Sequence, residues 1–185
     1  MTTVRTREEP MAFTRDEFGR GAWWSWFTFM TLLGFGLSAY SISIQASASS
    51  DSLVVVLYVM VLFLGYGALI GGVVSLTVMI VLSPVAWMIG RALRRARALA
   101  LHIAVYTLLG VAIAALAVAA LLVYGWDPGA TLGNPVILIC LVATVASVPT
   151  GWWISAHRAL REDRGVHRRH LSSRRDVDAL FEDGL

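Results

Sequence analysis

From Leu53 to Gly90 the chain runs for 38 residues without a charged side chain. As one helix, that block would measure about 57 Å at 1.5 Å per residue, nearly twice the roughly 30 Å hydrocarbon core of a bilayer. A chain of 185 residues has no soluble core large enough to hide it. Three further blocks supply the roughly 20 apolar residues that a membrane crossing requires. Composition agrees: hydrophobic residues make up 57% and charged residues 15%, against about 25% charged in soluble domains. The expected fold class is all-α, an integral membrane four-helix bundle with N- and C-termini cytoplasmic.

Two arrangements can accommodate the long block. The helix can tilt and project, kinking near Pro84, or it can turn back at Gly71-Gly72 and make two thin spans. Charge placement decides between them, because positive residues flanking short loops stay on the cytoplasmic side. All 15 basic residues are arginine. With four spans, Arg5, Arg7, Arg15, Arg20, the central Arg91, Arg94, Arg95 and Arg97, and the tail arginines from Arg158 to Arg175 all fall inside. Only Asp51 and Asp127 then face out. A fifth span would export the central and C-terminal clusters. The division that follows is a cytoplasmic lead and helix start over 1–21, a four-span domain over 22–156 and a basic then acidic tail over 157–185. The spans lie at about 22–43, 53–83, 101–124 and 135–156, and the location implied is the plasma membrane, in a bacterium the cytoplasmic membrane. Ala46-Ser47-Ala48 resembles a signal-peptidase site, but the apolar stretch before it exceeds the 7–15 residues of a signal core.

Local signals mark the helix ends. Thr14 and Glu17 have the spacing of a capping box, and Phe13 and Phe18 that of a hydrophobic staple. Asp51 or Ser52 can cap the second helix. Asn134-Pro135 offers an N-cap followed by proline at the first helical position, after a turn formed by Trp126, Asp127, Pro128 and Gly129. Trp23, Trp24 and Trp26, and at the other end Trp152-Trp153, are expected at the headgroup layer, which indole rings favour. Pro84–Ala98 reads as a juxtamembrane helix carrying the central arginines.

Small residues recur every four positions in two spans. Gly67 and Gly71, with Gly72 and Ser75 beside them, form one stripe; Ala143, Ser147, Gly151 and Ser155 form another. Such stripes let helix backbones approach closely where lipid provides no hydrophobic drive. They serve either the chain's own bundle or a face for a partner or a second copy. Arg91, Arg94, Arg95, Arg97, Arg158 and Arg161 are placed to touch anionic headgroups, each worth about 1 kcal/mol near such a surface. The every-third spacing of Arg91, Arg94 and Arg97 does not make a voltage sensor, since no acid lies within a span to receive them. The basic part of the tail, from His157 to Arg175, lacks aromatic residues for stacking bases, so no nucleic acid is expected. The last residues, with a cap near Ser173 and Asp176 and a stop at Gly184, read either as a frayed tail or a helix folded back on the basic segment, or as a short acidic amphipathic helix that offers a handle for a cytoplasmic protein.

Catalysis finds little to build on. No Asp, Glu, Lys or Arg lies within a predicted span, which argues against a proton-coupled pump. His102 and His157 read as interfacial polar residues, and Cys140 as a buried packing residue. No phosphate loop or metal-ligand spacing is present, so no enzyme activity and no cofactor is expected. The leading expectation is a non-catalytic accessory or assembly subunit of a larger membrane complex. Its partners would be a bilayer with anionic headgroups and either another protein or a second copy. The alternative is a small uncoupled transporter, channel or lipid-handling protein, for which Ser38, Tyr66, Ser75 and Thr144 should line a polar midplane cavity.

Overall fold

The computed structural model describes residues 14–47, 53–96 and 98–182. They form α1 (Arg15–Ser47), α2 (Leu53–Leu93), α3 (Leu99–Val123), a single short turn of helix α4 (Pro128–Gly133) and α5 (Pro135–Glu182), with no strand among the described residues. Four helices are long and apolar enough to cross a membrane, as a multi-pass membrane protein requires. Phe13, Asp51, Ser52, Arg97 and Gly184 lie outside the described residues.

The helix ends follow from the local chemistry. The Glu17 amide donates to Thr14 Oγ1 at 3.2 Å and the Thr14 amide donates to Glu17 Oε2 at 2.9 Å, so the capping box is closed. Asn134 Oδ1 accepts from the Val136 amide at 2.9 Å, with Pro135 opening α5. At the end of α3, Gly125 takes φ 85°. Its amide donates to Leu122 O and that of Trp126 to Leu121 O, the paired bonds of a glycine-closed helix end. Asp127 then caps α4, accepting from the Ala130 amide at 2.9 Å.

The long uncharged block does not turn back. Gly71-Gly72 stay helical, and α2 continues for 41 residues with Pro84 inside it, about 60 Å in all. An intramembrane proline is tolerated when neighbouring groups re-satisfy the freed carbonyl. Most of the expected juxtamembrane helix, from Pro84 to Leu93, is therefore the last turns of α2. Arg91 sits on α2, and Arg94 and Arg95 form the tight turn into α3. α5 is also longer than expected, a single 48-residue helix containing Pro149. Between 157 and 182 the chain is rich in arginine and has one glycine and no proline, so nothing local interrupts the helix that the fourth span begins.

Packing sets the order α2–α1–α5–α3 across the bundle. α1 and α5 are the central pair, and at their seam backbone packs against backbone. A Cβ added at Gly151 would lie 2.5 Å from the Ser25 nitrogen, and one at Gly21 would lie 3.2 Å from Ser155 Cβ. Across this seam the Ser25 hydroxyl donates to Ser147 O and the Ser155 hydroxyl to Glu17 O, each at 2.8 Å. On the other side of α5, Gly110 of α3 meets Val145 O, where an added Cβ would sit at 3.0 Å. Val145 is four residues before Pro149, so its carbonyl has lost its helical donor. Glycine at 110 lets α3 come down onto that carbonyl.

Candidate functional site

Both small-residue stripes are used within the chain. Leu37 fills the space beside Gly67, Leu33 Cδ2 would lie 2.7 Å from a Cβ on Gly71, and Met30 covers Gly72 at 3.5 Å. Ser75 Oγ accepts from Trp26 Nε1 at 3.1 Å and donates to Gly72 O at 3.1 Å. The α2 stripe is thus the seat of α1. In α5, Ala143, Ser147 and Gly151 are buried and Ser155 is bonded to α1. Trp26, expected at a headgroup, is turned inward to tie α1 to α2.

The end of the bundle that carries Arg91 and Arg158 also holds the aromatic core. Trp152 is only 8% exposed and lies between His102, ring centroids 5.0 Å apart, and Tyr106 at 5.6 Å, with both rings nearly parallel to the indole. His102, expected at an interface, is 1% exposed. Its Nδ1 is 3.1 Å from Ala98 O, and its Nε2 has no hydrogen-bond partner among the described residues. The sequence signal for this cluster was the four-residue spacing of His102 and Tyr106 on α3, which puts both on one helix face. Trp153, by contrast, is exposed beside His157.

The Tyr106 hydroxyl reaches across to Ala86 O at 3.4 Å and abuts Gly90. This is where α3 touches α2. Away from that bridge the outer helices α2 and α3 stand apart, and between them runs a groove of about 920 Å³ floored by α1 and α5. Its α2 wall repeats every three or four residues from Leu62 through Tyr66, Ile70, Val74 and Val78 to Trp87 and Arg94. Tyr66 is 61% and Val74 55% exposed although both line it, so the groove opens sideways, towards whatever surrounds the bundle.

Three of the four residues expected around a midplane cavity, Tyr66, Ser75 and Thr144, line this groove. Ser38 does not; its hydroxyl donates to Gly34 O within α1. The polar-cavity expectation fails on chemistry as well. Thr144 Oγ1 donates to Cys140 O, Ser147 Oγ to Thr144 O, and Ser25 Oγ to Ser147 O. With those protons committed to carbonyls, the wall a guest meets is mainly apolar. Cys140 is half-buried and lines the groove rather than packing in a core.

Charge enters the groove at one end only, where Glu17, Arg91 and Arg94 line it and Phe18 stacks edge-on against Trp87, ring centroids 5.2 Å apart. Arg15, Arg20, Arg95, Arg158 and Arg161 do not line the groove. Arg95 and Arg161 are exposed, and the Arg158 guanidinium sits 4.4 Å over the Trp24 ring on the α1–α5 seam. Among the described residues no group of three or more His, Cys, Asp or Glu is placed to hold a metal ion. In comparisons with known proteins, the chain matches no family model, no curated protein and no solved structure.

Proposed function

We propose that this chain is a non-catalytic, multi-pass protein of the cytoplasmic membrane that handles lipid, taking an apolar chain into the groove between α2 and α3. The observation that carries the reading is the groove itself. It is long, opens sideways, and is walled mainly by apolar side chains, with the Ser75, Thr144 and Ser147 hydroxyls already bonded to carbonyls. A path for ions or polar solutes needs groups that replace water around the cargo, and this wall has few to offer. Hydrocarbon requires none. The arginine end then faces the cytoplasm, where positive flanks are retained.

The test is lipid retention. Purified in mild detergent and washed extensively, the wild-type chain keeps a stoichiometric lipid, measured by extraction and mass spectrometry. Val78→Trp fills the groove at a lining position and removes that lipid. Val81→Trp, at a 65% exposed position outside the groove lining, leaves it. Equal retention by both variants would defeat the proposal.

A second reading, that of an accessory or assembly subunit, is favoured by a different observation: α5 continues unbroken from the fourth span to Glu182. A helix that extends some 26 residues beyond Ala156 offers a cytoplasmic partner a long rigid surface. Deleting residues 172–185 should abolish recovery of such a partner while membrane insertion continues. Undiminished recovery would rule out this handle.

A further inference from the structure

We infer that the charged mouth of the groove seats the headgroup of an anionic phospholipid, with the phosphate at Arg91 and Arg94 and one acyl chain lying along α2. The inference rests on the lipid-handling reading and adds to it which lipid is taken and from which leaflet.

The distribution of charge along the groove carries the argument. All three charged residues that line it are at one end, two guanidiniums against one carboxylate. With the Glu17 carboxylate counted, whose Oε2 also accepts the Thr14 amide at 2.9 Å, the mouth keeps a net positive charge. Beyond Trp87 the lining carries no charge. A charged head with an apolar tail has the same polarity profile. The planar fork of an arginine matches phosphate oxygens with two parallel bonds. A zwitterionic headgroup brings its own cation to that phosphate and gains less from two arginines than a net anionic one does.

Geometry also fixes the leaflet. Half of the hydrocarbon core is about 15 Å, which is about ten residues of helix at 1.5 Å each. A phosphate at Arg91 lies in the headgroup layer, so the hydrocarbon begins about one turn lower, at Trp87; the acyl chain then runs past Ser83 and ends near Val78, short of the Trp26–Ser75 tie at 3.1 Å. The lipid stands upright in the leaflet at the arginine end and enters sideways between α2 and α3.

The experiment uses the full chain in detergent, titrated with phosphatidylglycerol or phosphatidylcholine and read by native mass spectrometry. Two double variants remove equal charge: Arg91→Gln with Arg94→Gln at the mouth, and Arg158→Gln with Arg161→Gln on α5. Two arginines at about 1 kcal/mol each correspond to roughly a 30-fold loss at 1.4 kcal/mol per tenfold. The mouth variant should lose about that factor for the first phosphatidylglycerol and keep its phosphatidylcholine binding, which also shows that its groove is intact. The α5 variant should stay within about threefold of wild type. Equal losses in both variants, or none at the mouth, overturn the headgroup seat. If the wild type binds both lipids alike and Val78→Trp removes both, lipid handling stands and this inference fails. If the wild type retains neither lipid, both fail.

Discussion

Gly151→Ala isolates the backbone contact between α1 and α5. The added methyl carbon would sit 2.5 Å from the Ser25 nitrogen and 2.6 Å from its Cα, where carbon contacts need about 3.5–4.0 Å. The neighbouring atoms are backbone, so no rotamer change relieves the overlap. α1 and α5 must instead separate by about 1 Å, a type of strain that costs about 1–3 kcal/mol. The same movement stretches the 2.8 Å bond from Ser25 Oγ to Ser147 O past hydrogen-bonding range, removing about 0.6 kcal/mol more. Alanine returns up to about 1 kcal/mol of helix propensity. A net loss of roughly 1–3 kcal/mol is expected in reversible SDS unfolding in mixed micelles, followed by circular dichroism. Gly34→Ala is the control, because nothing lies within 4 Å of its added Cβ, and it should be neutral or slightly stabilising. If Gly151→Ala unfolds no more readily than Gly34→Ala, the α1–α5 seam is not as close as described.

Other consequences follow from the same packing. Gly110→Ala places a methyl 3.0 Å from Val145 O and should cost about 1–2 kcal/mol in that assay; Val145 belongs to backbone that cannot yield, so a neutral result would contradict the α3–α5 crossing. Gly36→Ala brings a methyl 2.5 Å from Ile139 Cγ2; a β-branched side chain in a helix is held to one χ1 rotamer, so the overlap is not relieved by rotation and should cost about 1–3 kcal/mol. Trp26→Phe removes the donor to Ser75 Oγ and should destabilise by about 0.5–1.5 kcal/mol, an effect that should vanish in a Ser75→Ala background if Ser75 is its main acceptor. In a Cys140→Ser chain, a cysteine at Leu132, 54% exposed, should label from outside intact cells and one at Ser172 should not. Labelling at Ser172 would overturn the proposed orientation.

What the sequence revealed and what it hid divide along physical lines. The Thr14–Glu17 box and the Asn134-Pro135 start depend on residues within one turn of each other, and both were legible. The four-span count was legible because the apolar blocks are long and the arginines fall between them. Helix partners were not legible. The Gly67–Gly71 and Ala143–Ser155 stripes announced close packing, but nothing in their spacing says that α1 receives both. Trp152 and His102 misled for the same reason, since a tryptophan near a span's end reads as an interfacial anchor unless the neighbouring helix that buries it is known. The groove was the least legible feature, because it exists where α2 and α3 fail to touch. Tyr66, Ser75 and Thr144 were correctly placed around it, yet the bonds from Ser75 and Thr144 to carbonyls, which make its wall apolar, appear only in three dimensions.

The most direct test of the groove as a lipid seat is a photo-crosslinking residue, benzoylphenylalanine, introduced at Val78 and irradiated in native membranes. Val78 lines the groove, and the same residue at Val81 reports on the lipid around the bundle in general. The lipid reading predicts a phospholipid adduct at Val78 that is already formed at low lipid-to-protein ratio and survives dilution into detergent before irradiation, while the Val81 adduct disappears on dilution. A protein adduct at Val78, or adducts at both positions that are lost together, would contradict it.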